Sequence, residues 1–146
     1  MRMMSFALTE RQLMDGSKTV TRRTGWANLR PGERLLAVRK AMGLKAGEKA
    51  VALCEVEVVS VRRERLDAIT PAEVIAEGFP EWTNDPASFM RMFCKHMRVP
   101  AGEVVGTLKD VRMRPMTGAD LVTRIEFRVV PGSERAGTQV GLGPAV

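Results

Sequence analysis

The stretch Asp15-Gly16-Ser17-Lys18-Thr19-Val20-Thr21-Arg22-Arg23 decides how the fold and function of this chain are interpreted. It brings a possible nucleophile, a titratable amine and two fixed cations together within nine residues, as no other run of the sequence does. Gly16 supplies the left-handed residue that ends a helix, and the β-branched residues after it favour an extended strand. Two interpretations are open: a solvated helix-to-strand connection, or one part of a ligand site.

Two similar helix signals lie before and after this stretch. The first has Thr9 as the N-cap, Gln12 to complete a capping box, and Leu8 to pack against the helix. The second begins at Thr70, which is followed by a proline at the first helical position, and ends at Gly78. The sequence therefore predicts short helices at both places.

A third helix is predicted from Asp85 to about Met97. Phe89, Phe93 and Met97 recur on one face of it at i, i+4 and i+8. We interpret this apolar stripe as part of the core.

Alternating or apolar runs predict strands at 34–40, 51–61, 104–113 and 122–130. Strands and short helices without regular βαβ alternation predict an α+β fold. We expect a small barrel-like sheet of about five to six strands with two to three short peripheral helices. One domain is expected over residues 1–130, and a flexible C-terminal tail over 131–146.

The composition of the chain indicates which kinds of partner it binds. A formal charge of +6 favours an anionic partner such as RNA, DNA or a nucleotide. Aromatic residues make up only 5% and Tyr is absent, which favours a pocket for one nucleoside over a stacking surface for a strand. Cys54, Cys94 and His96 are too few for a zinc site, so we expect no metal and no cofactor. No run approaches a membrane span, and a soluble, cytoplasmic protein is expected, as a monomer or weak homodimer.

The opening stretch also fits the pattern G-x-K-x-x-T-x-R, from Gly16 to Arg23, and resembles the signature of the ASCH domain family. That family is a branch of the PUA-like β-barrels associated with RNA binding and RNA modification. Three further segments agree with it in order, and together they cover most of residues 5 to 130: Pro31-Gly32-Glu33-Arg34, Ala76-Glu77-Gly78-Phe79 and Val122-Thr123-Arg124-Ile125-Glu126-Phe127.

The resemblance implies a small PUA-like barrel and suggests an activity. Small bacterial members of the family are amidohydrolases that remove the acyl group from N4-acetylcytidine, others are reported as ribonucleases, and many have no assigned activity. The catalytic residues of the hydrolases correspond to Lys18, Thr21 and Glu77, and the signature arginine to Arg23. This chain is longer than those hydrolases at the 42–49 loop, around the third helix and at 100–120, so substrate identity does not carry over directly.

The residues themselves set conditions on this chemistry. Lys18 and Thr21 would point to opposite faces of a regular strand, so their cooperation requires a bend between them. Lys18 can serve as a base only if its pKa falls from about 10.4 toward neutrality through burial and neighbouring like charge. Arg22 and Arg23 are candidate sources of that charge.

Glu77 is predicted at the last turn of the second helix, where the helix dipole disfavours a carboxylate by about 0.3–1 kcal/mol. Two interpretations are open: Glu77 has a functional role at this position, or it is an exposed end residue whose unfavourable interaction with the helix dipole is small.

Further contacts are predicted from charge and aromatic character. Residues predicted to bind substrate are Gly16, Arg23, Trp26, Trp82 and Arg124. Residues predicted to bind nucleic acid are Arg22, Lys40, Lys45, Arg62 and Arg63. Two hypotheses follow: a hydrolase acting on an acylated cytidine-like nucleoside or on RNA, and a non-catalytic RNA-binding module of PUA-like type.

Overall fold

The computed structural model describes residues 1–41, 43–101 and 112–135, and the backbone of 138–140. Its strands are β1 Met3–Ser5, β2 Val20–Arg23, β3 Arg34–Val38, β4 Ala50–Arg65, β5 Arg98–Pro100, β6 Met113–Pro115, β7 Leu121–Val129 and β8 Thr138–Val140. Its α-helices are α1 Glu10–Met14, α2 Pro71–Ala76 and α3 Pro86–Cys94, with 3₁₀ turns at Leu66–Ala68 and Pro80–Trp82.

Six strands form the main sheet, in the order β1-β3-β4-β7-β2, with β8 paired to β4. The β1–β3 pair is parallel and the other pairs are antiparallel. The 16-residue β4 organises the sheet, because it pairs with β3 in its first half and with β7 from Val56 to Arg65. The predicted α+β fold, with five to six strands and two to three short helices, is confirmed.

The sheet curls until its two ends lie close together. β1 and β2 are at opposite ends of the pairing path, yet Nη2 of Arg23 on β2 donates to the carbonyl oxygen of Ser5 on β1 at 2.5 Å. The ring of Phe6, just after β1, meets that of Phe127 on β7 edge-on at 5.6 Å. A side chain therefore bridges the gap that backbone hydrogen bonds would close in a complete barrel.

Two apolar clusters fill the molecule. The first lies inside the curled sheet and includes Phe6, Leu35, Val56 and Phe127. The second lies under α2 and α3 and consists of Leu66, Ile69, Val74, Phe89, Met116 and Val122. Two separate cores leave a space between them, and the cleft described below occupies it.

The predicted cap of the first helix is wrong. Thr9 is at the N-cap position but its side chain makes no capping hydrogen bond, and Leu8 is 74% exposed instead of packing against the helix. Nε2 of Gln12 donates instead to the carbonyl oxygen of Gly78 at 3.1 Å. The tertiary contact with the end of α2 replaces the local capping box.

The second helix follows its prediction. Oγ1 of Thr70 accepts from the Glu73 amide at 3.3 Å, and Pro71 is the first helical residue. Gly78 takes the left-handed conformation after it, with φ of +100°, as Gly16 does after α1 with φ of +82°. The third helix ends at Cys94, earlier than predicted, and His96 follows with φ of +65°.

The remaining predictions concern the C-terminal third. β7 matches the predicted strand at 122–130, whereas most of the one predicted at 104–113 lies outside the described residues. The short β5–β6 pair was not predicted. Within the segment expected to be a tail, the Arg135 amide donates to Leu53 and β8 pairs with β4, while the boundary at residue 130 stays a prediction. Over the described part of the chain, no helix is long and apolar enough to cross a membrane.

Candidate functional site

A cleft of about 590 Å³ opens between the start of β2, the end of α2 and the face of α3. Its polar wall includes Lys18, Thr21, Arg22, Arg23 and Glu77. Its apolar wall includes Phe79, Phe89, Met92, Phe93 and Met97, with Lys95 also lining the cleft. The volume is typical of a small-molecule site.

Lys18 enters this cleft because the chain is bonded to two helices before the strand begins. The Lys18 amide donates to Gln12 of α1 at 3.0 Å, and the Thr19 amide donates to Ala76 of α2 at 2.8 Å. Regular β2 starts only at Val20. Lys18 thus lies outside the alternation of the strand, and its side chain and that of Thr21 line the same cleft.

The Lys18 amine is buried and held by Glu77. Its side chain is 3% exposed, and Nζ donates to the Glu77 carbonyl oxygen at 2.7 Å and to Glu77 Oε1 at 3.2 Å. Burial lowers the pKa of Lys18 to about 8, and the Arg23 and Arg22 charges act in the same direction. The Glu77 carboxylate opposes this shift without cancelling it.

Glu77 is the C-cap of α2 and is only 3% exposed, so its interpretation as a solvated end residue is wrong. Its Oε1 accepts from Lys18, and its Oε2 accepts from Nη1 of Arg22 at 3.0 Å. Two cations therefore offset both the helix dipole and the loss of hydration at this carboxylate.

Arg22 lies inside the molecule, although its charge led to a predicted contact with nucleic acid. Its side chain is 1% exposed, and Nη2 donates to Glu64 at 3.1 Å while Nη1 forms an ion pair with Glu73 at 3.8 Å in addition to its bond with Glu77. Sequence reasoning did not identify Glu64 or Glu73 as partners. The i, i+4 spacing of Glu73 and Glu77 on α2 was an available signal, since it places both carboxylates on one side of the helix.

Three arginines stand side by side across the sheet. Arg124 of β7 is in register with Arg22 of β2 on one side and with Arg62 of β4 on the other. Like charges directly opposite are unfavourable in a sheet. Here Glu73 compensates them, since Nε of Arg124 donates to it at 2.8 Å and Arg62 pairs with it at 3.6 Å. Arg124, predicted to bind substrate, thus points to Glu73 and is not among the residues lining the cleft.

Thr21 is held by Arg23, two residues along the same strand. Oγ1 of Thr21 accepts from Nε of Arg23 at 3.1 Å, and Thr21 is 3% exposed. The Arg23 guanidinium lies 5.1 Å from the centre of the Phe6 ring. Burial lowers the pKa of Arg23 to about 10, which leaves the side chain cationic at neutral pH.

The two tryptophans differ in placement. Trp26 lines the cleft with φ of +65°, and the Arg2 guanidinium lies 5.0 Å from its ring centre. Trp82 stacks on Phe79 at 5.2 Å and is not among the cleft-lining residues. Gly16 is likewise not among them, and its structural role is to end α1.

The other predicted nucleic-acid contacts lie away from the cleft. Lys40 borders a separate cavity of about 240 Å³, and Lys45 is exposed. Arg62 pairs with Glu64 as well as Glu73, and Nη1 of Arg63 donates to Oγ1 of Thr123 at 2.7 Å. Within 1–41, 43–101 and 112–135, no three His, Cys, Asp or Glu side chains are grouped to hold a metal ion.

Two solved structures are similar to this chain. Protein EF3133 from Enterococcus faecalis V583, with family model DUF984, is 14% identical, with a TM-score of 0.49 over 89% of this chain and 73% of that one. An ASCH domain from Lactobacillus crispatus JV V101 is 13% identical, with a TM-score of 0.49 over 84% and 70% of the two chains. At these values, neither likeness supports an argument about ligand or activity.

No family model matches the chain, and no curated protein matches it.

Proposed function

We propose that this protein is an amidohydrolase that removes the acyl group from the exocyclic nitrogen of an acylated cytidine-like nucleoside. The observation that carries the proposal is the arrangement of Lys18, Thr21 and Glu77 around one cleft, with the Lys18 amine buried against Glu77. These are the three residues to which the signature resemblance assigns catalysis. A buried amine with a pKa of about 8 exists partly as the neutral base near neutral pH.

The hydrogen bonds of Lys18 favour its use as a base. A neutral amine has two N–H groups and one lone pair. Glu77 offers two acceptors to Nζ, its carbonyl oxygen and Oε1. When both N–H groups donate to Glu77, the lone pair is directed away from that residue and is free to take a proton in the cleft.

Thr21 is the proposed nucleophile. Its Oγ1 accepts a hydrogen bond from Arg23, so its own hydroxyl proton is available to Lys18 or to a bound ligand. Oγ1 attacks the acyl carbon, and its proton passes to Lys18. The C–N bond then breaks, Lys18 returns the proton to the leaving exocyclic nitrogen, and water hydrolyses the threonyl ester to release the carboxylic acid.

Arg23 and Glu77 support this step electrostatically. The Arg23 guanidinium beside Oγ1 is placed to stabilise negative charge developing on the acyl oxygen. Glu77 fixes the amine and stabilises its protonated form. Arg22 in turn fixes Glu77 from the opposite side.

The test is turnover of N4-acetylcytidine, with cytidine and acetate separated by chromatography. We expect activity in the wild type and its loss in Lys18→Ala and in Thr21→Val, which removes only the hydroxyl. Lys45→Ala, an exposed lysine away from the cleft, is the matched control and should retain activity. Turnover in the wild type no higher than in Lys18→Ala would contradict the proposal. Cleavage of a labelled RNA by the wild type but not by Lys18→Ala would assign the same cleft to a ribonuclease.

A further inference from the structure

The cleft has a second wall whose chemistry differs from that of the catalytic residues. Phe89, Met92 and Phe93 are spaced i, i+3 and i+4 on α3, so they share one face of the helix. Phe79 and Met97, before and after that helix, extend the same surface. Phe89 is 1% exposed, whereas Met92, Phe93 and Met97 are only half-buried.

The half-buried side chains distinguish this wall from ordinary core. The stripe predicted as core does pack there, since Phe89 is part of the second apolar cluster and Phe93 lies against it at 6.1 Å. Met92, Phe93 and Met97 also border the cleft and keep apolar surface unburied. An apolar group placed against them is stabilised in proportion to the apolar surface that it removes from water.

The aromatic rings on the polar side have charged neighbours. Arg23 lies over Phe6, and Arg2 lies over Trp26. Among the described residues, no arginine or lysine lies over a ring of the α3 wall in this way. The rings of that wall meet one another, as Phe79 meets Phe89 at 5.7 Å. Methionine side chains are flexible and polarisable, so they adapt to apolar groups of different shapes.

We propose that the wall formed by Phe79, Met92, Phe93 and Met97 is an acyl-group subsite that selects substrates whose acyl group is larger than acetyl, including aromatic acyl groups. This inference rests on the proposed function, because it places the scissile amide at Thr21 and the acyl group toward α3. The position of α3 opposite β2 across one cleft supplies the geometry.

A binding measurement tests the subsite without catalysis. N4-benzylcytidine and N4-methylcytidine have no exocyclic amide for the enzyme to cleave, and they differ only in the apolar group on N4. By isothermal titration calorimetry we expect the benzyl compound to bind about tenfold more tightly, or better, from burial of a phenyl-sized group. Equal affinities, or no binding of either compound, would overturn the subsite.

Variants locate the effect. Met92→Ala and Met97→Ala should each reduce the benzyl preference by roughly fourfold or more, the equivalent of at least one buried CH₂ group. Met90→Ala is the matched control, because Met90 is half-buried on the same helix but faces the second apolar cluster, not the cleft. Thermal denaturation checks that all three fold. If Met92→Ala weakens both compounds equally, the wall contacts the base and the acyl assignment is wrong.

Hydrolysis separates this inference from the proposed function. We expect kcat/KM for N4-benzoylcytidine to exceed that for N4-acetylcytidine by about tenfold. Hydrolysis of both compounds without that preference would contradict the acyl-group subsite and support the amidohydrolase activity. Tighter binding of the benzyl compound with no hydrolysis of either amide would contradict the amidohydrolase activity and support the apolar subsite.

Discussion

At the scale of single residues, Lys18 is the side chain on which the proposed chemistry depends. The amine is almost completely buried. Two of its protons are donated to oxygen atoms of Glu77, and the charges of Arg22 and Arg23 lie nearby. Burial and these positive charges both favour the neutral form. The same environment that destabilises the ammonium ion therefore prepares the amine to accept a proton.

The first prediction concerns the pH dependence of turnover. Because the base must be neutral, kcat/KM for the acylated nucleoside should rise about tenfold per pH unit below the Lys18 pKa of about 8, and level off above it. Initial rates across about pH 6 to pH 10 measure this limb. A rate that is flat or falls with pH over that range would exclude neutral Lys18 as the base.

The second prediction concerns stability and the same titration. The pKa of Lys18 is about 8 in the folded chain and 10.5 as its ordinary value, so between these pH values the unfolded chain binds more protons. The contribution of Lys18 to the free energy of unfolding therefore increases as the pH rises through that window, and it is constant below about pH 8. In urea unfolding, the free energy of unfolding of the wild type should increase relative to that of Lys18→Met between pH 8 and pH 10. A difference between wild type and Lys18→Met that stays constant over this window would contradict the lowered pKa of Lys18.

Arg22 is the other residue whose replacement has a large expected effect. Its side chain lies among Glu64, Glu73 and Glu77 with 1% exposure, so Arg22→Met removes one cation from each of them and leaves the buried Glu77 carboxylate with Lys18 alone. Removing one partner of a buried ion pair costs about 3–5 kcal/mol. Urea unfolding at neutral pH measures the loss. Arg39→Met breaks the half-exposed pair with Glu10 and should cost under about 1 kcal/mol; equal losses in the two variants would contradict the assigned role of Arg22.

At the scale of elements, the junction of α1 and α2 positions the site. Gly78 ends α2 with φ of +100°, and a Cβ there would lie 3.1 Å from Cβ of Gln12. Gln12 in turn donates to Gly78 and accepts from the Lys18 amide. The contact between the helices thus sets the position of both Lys18 and Glu77.

Gly78→Ala tests this junction. We expect a loss of at least about 1–2 kcal/mol from the left-handed backbone alone, with more from the contact with Gln12. Gly25→Ala is the control, because a Cβ there meets nothing within 4 Å and φ is not positive; its effect should be within about 0.5 kcal/mol. Chemical denaturation compares the two. Similar stabilities would mean that the α1–α2 contact relaxes without cost.

Elements with local signals were predicted from the sequence, and those that depend on distant partners were not. Thr70 and Gly78 specify α2 through a cap and a left-handed residue, both within a few positions. The cap of α1 failed because the partner of Gln12 is 66 residues away. Arg22 was predicted to bind nucleic acid because of its charge, whereas β2 buries three consecutive residues, Val20, Thr21 and Arg22.

The candidate site shows the same division. The family resemblance grouped Lys18 and Thr21 of the signature with Glu77 at the end of a later helix, and all three line the cleft. The role of α3 in lining that cleft was not predicted, because an apolar stripe has the same spacing whether it faces a core or a ligand. Only the three-dimensional position of α3 across from β2 separates the two cases.

At the scale of the whole molecule, 17 carboxylates offset all but six of the 23 lysine and arginine charges. Many arginines have carboxylate partners within the chain. Among them are the pairs Arg2–Glu33, Arg39–Glu10, Arg65–Asp67, Arg114–Asp120 and Arg128–Glu57. Paired arginines release fewer counterions from a nucleic-acid backbone, so the number of basic residues overstates the expected RNA affinity.

The last prediction separates a nucleoside cleft from an RNA-binding surface. Arg62 is engaged by Glu64 and Glu73, and Arg63 by Thr123. Of the five residues predicted to bind nucleic acid, Lys40 and Lys45 are therefore the exposed side chains without such a partner in the part of the chain that the structure describes. We expect weak RNA binding. The logarithm of the association constant should fall with the logarithm of salt concentration at a slope near −1 to −2, which corresponds to about one unit of slope per phosphate contact.

Fluorescence anisotropy with a labelled single-stranded RNA over a salt series measures that slope. Replacing Arg62, Arg63 or Lys45 by Ala should change the affinity by less than about threefold. Arg62 is paired with carboxylates, Arg63 is hydrogen-bonded within the fold, and a single solvated lysine adds little net attraction to a phosphate. A slope steeper than about −4, with large reductions of affinity in these variants, would instead establish an RNA-binding module, and the cleft would then require a role in that binding.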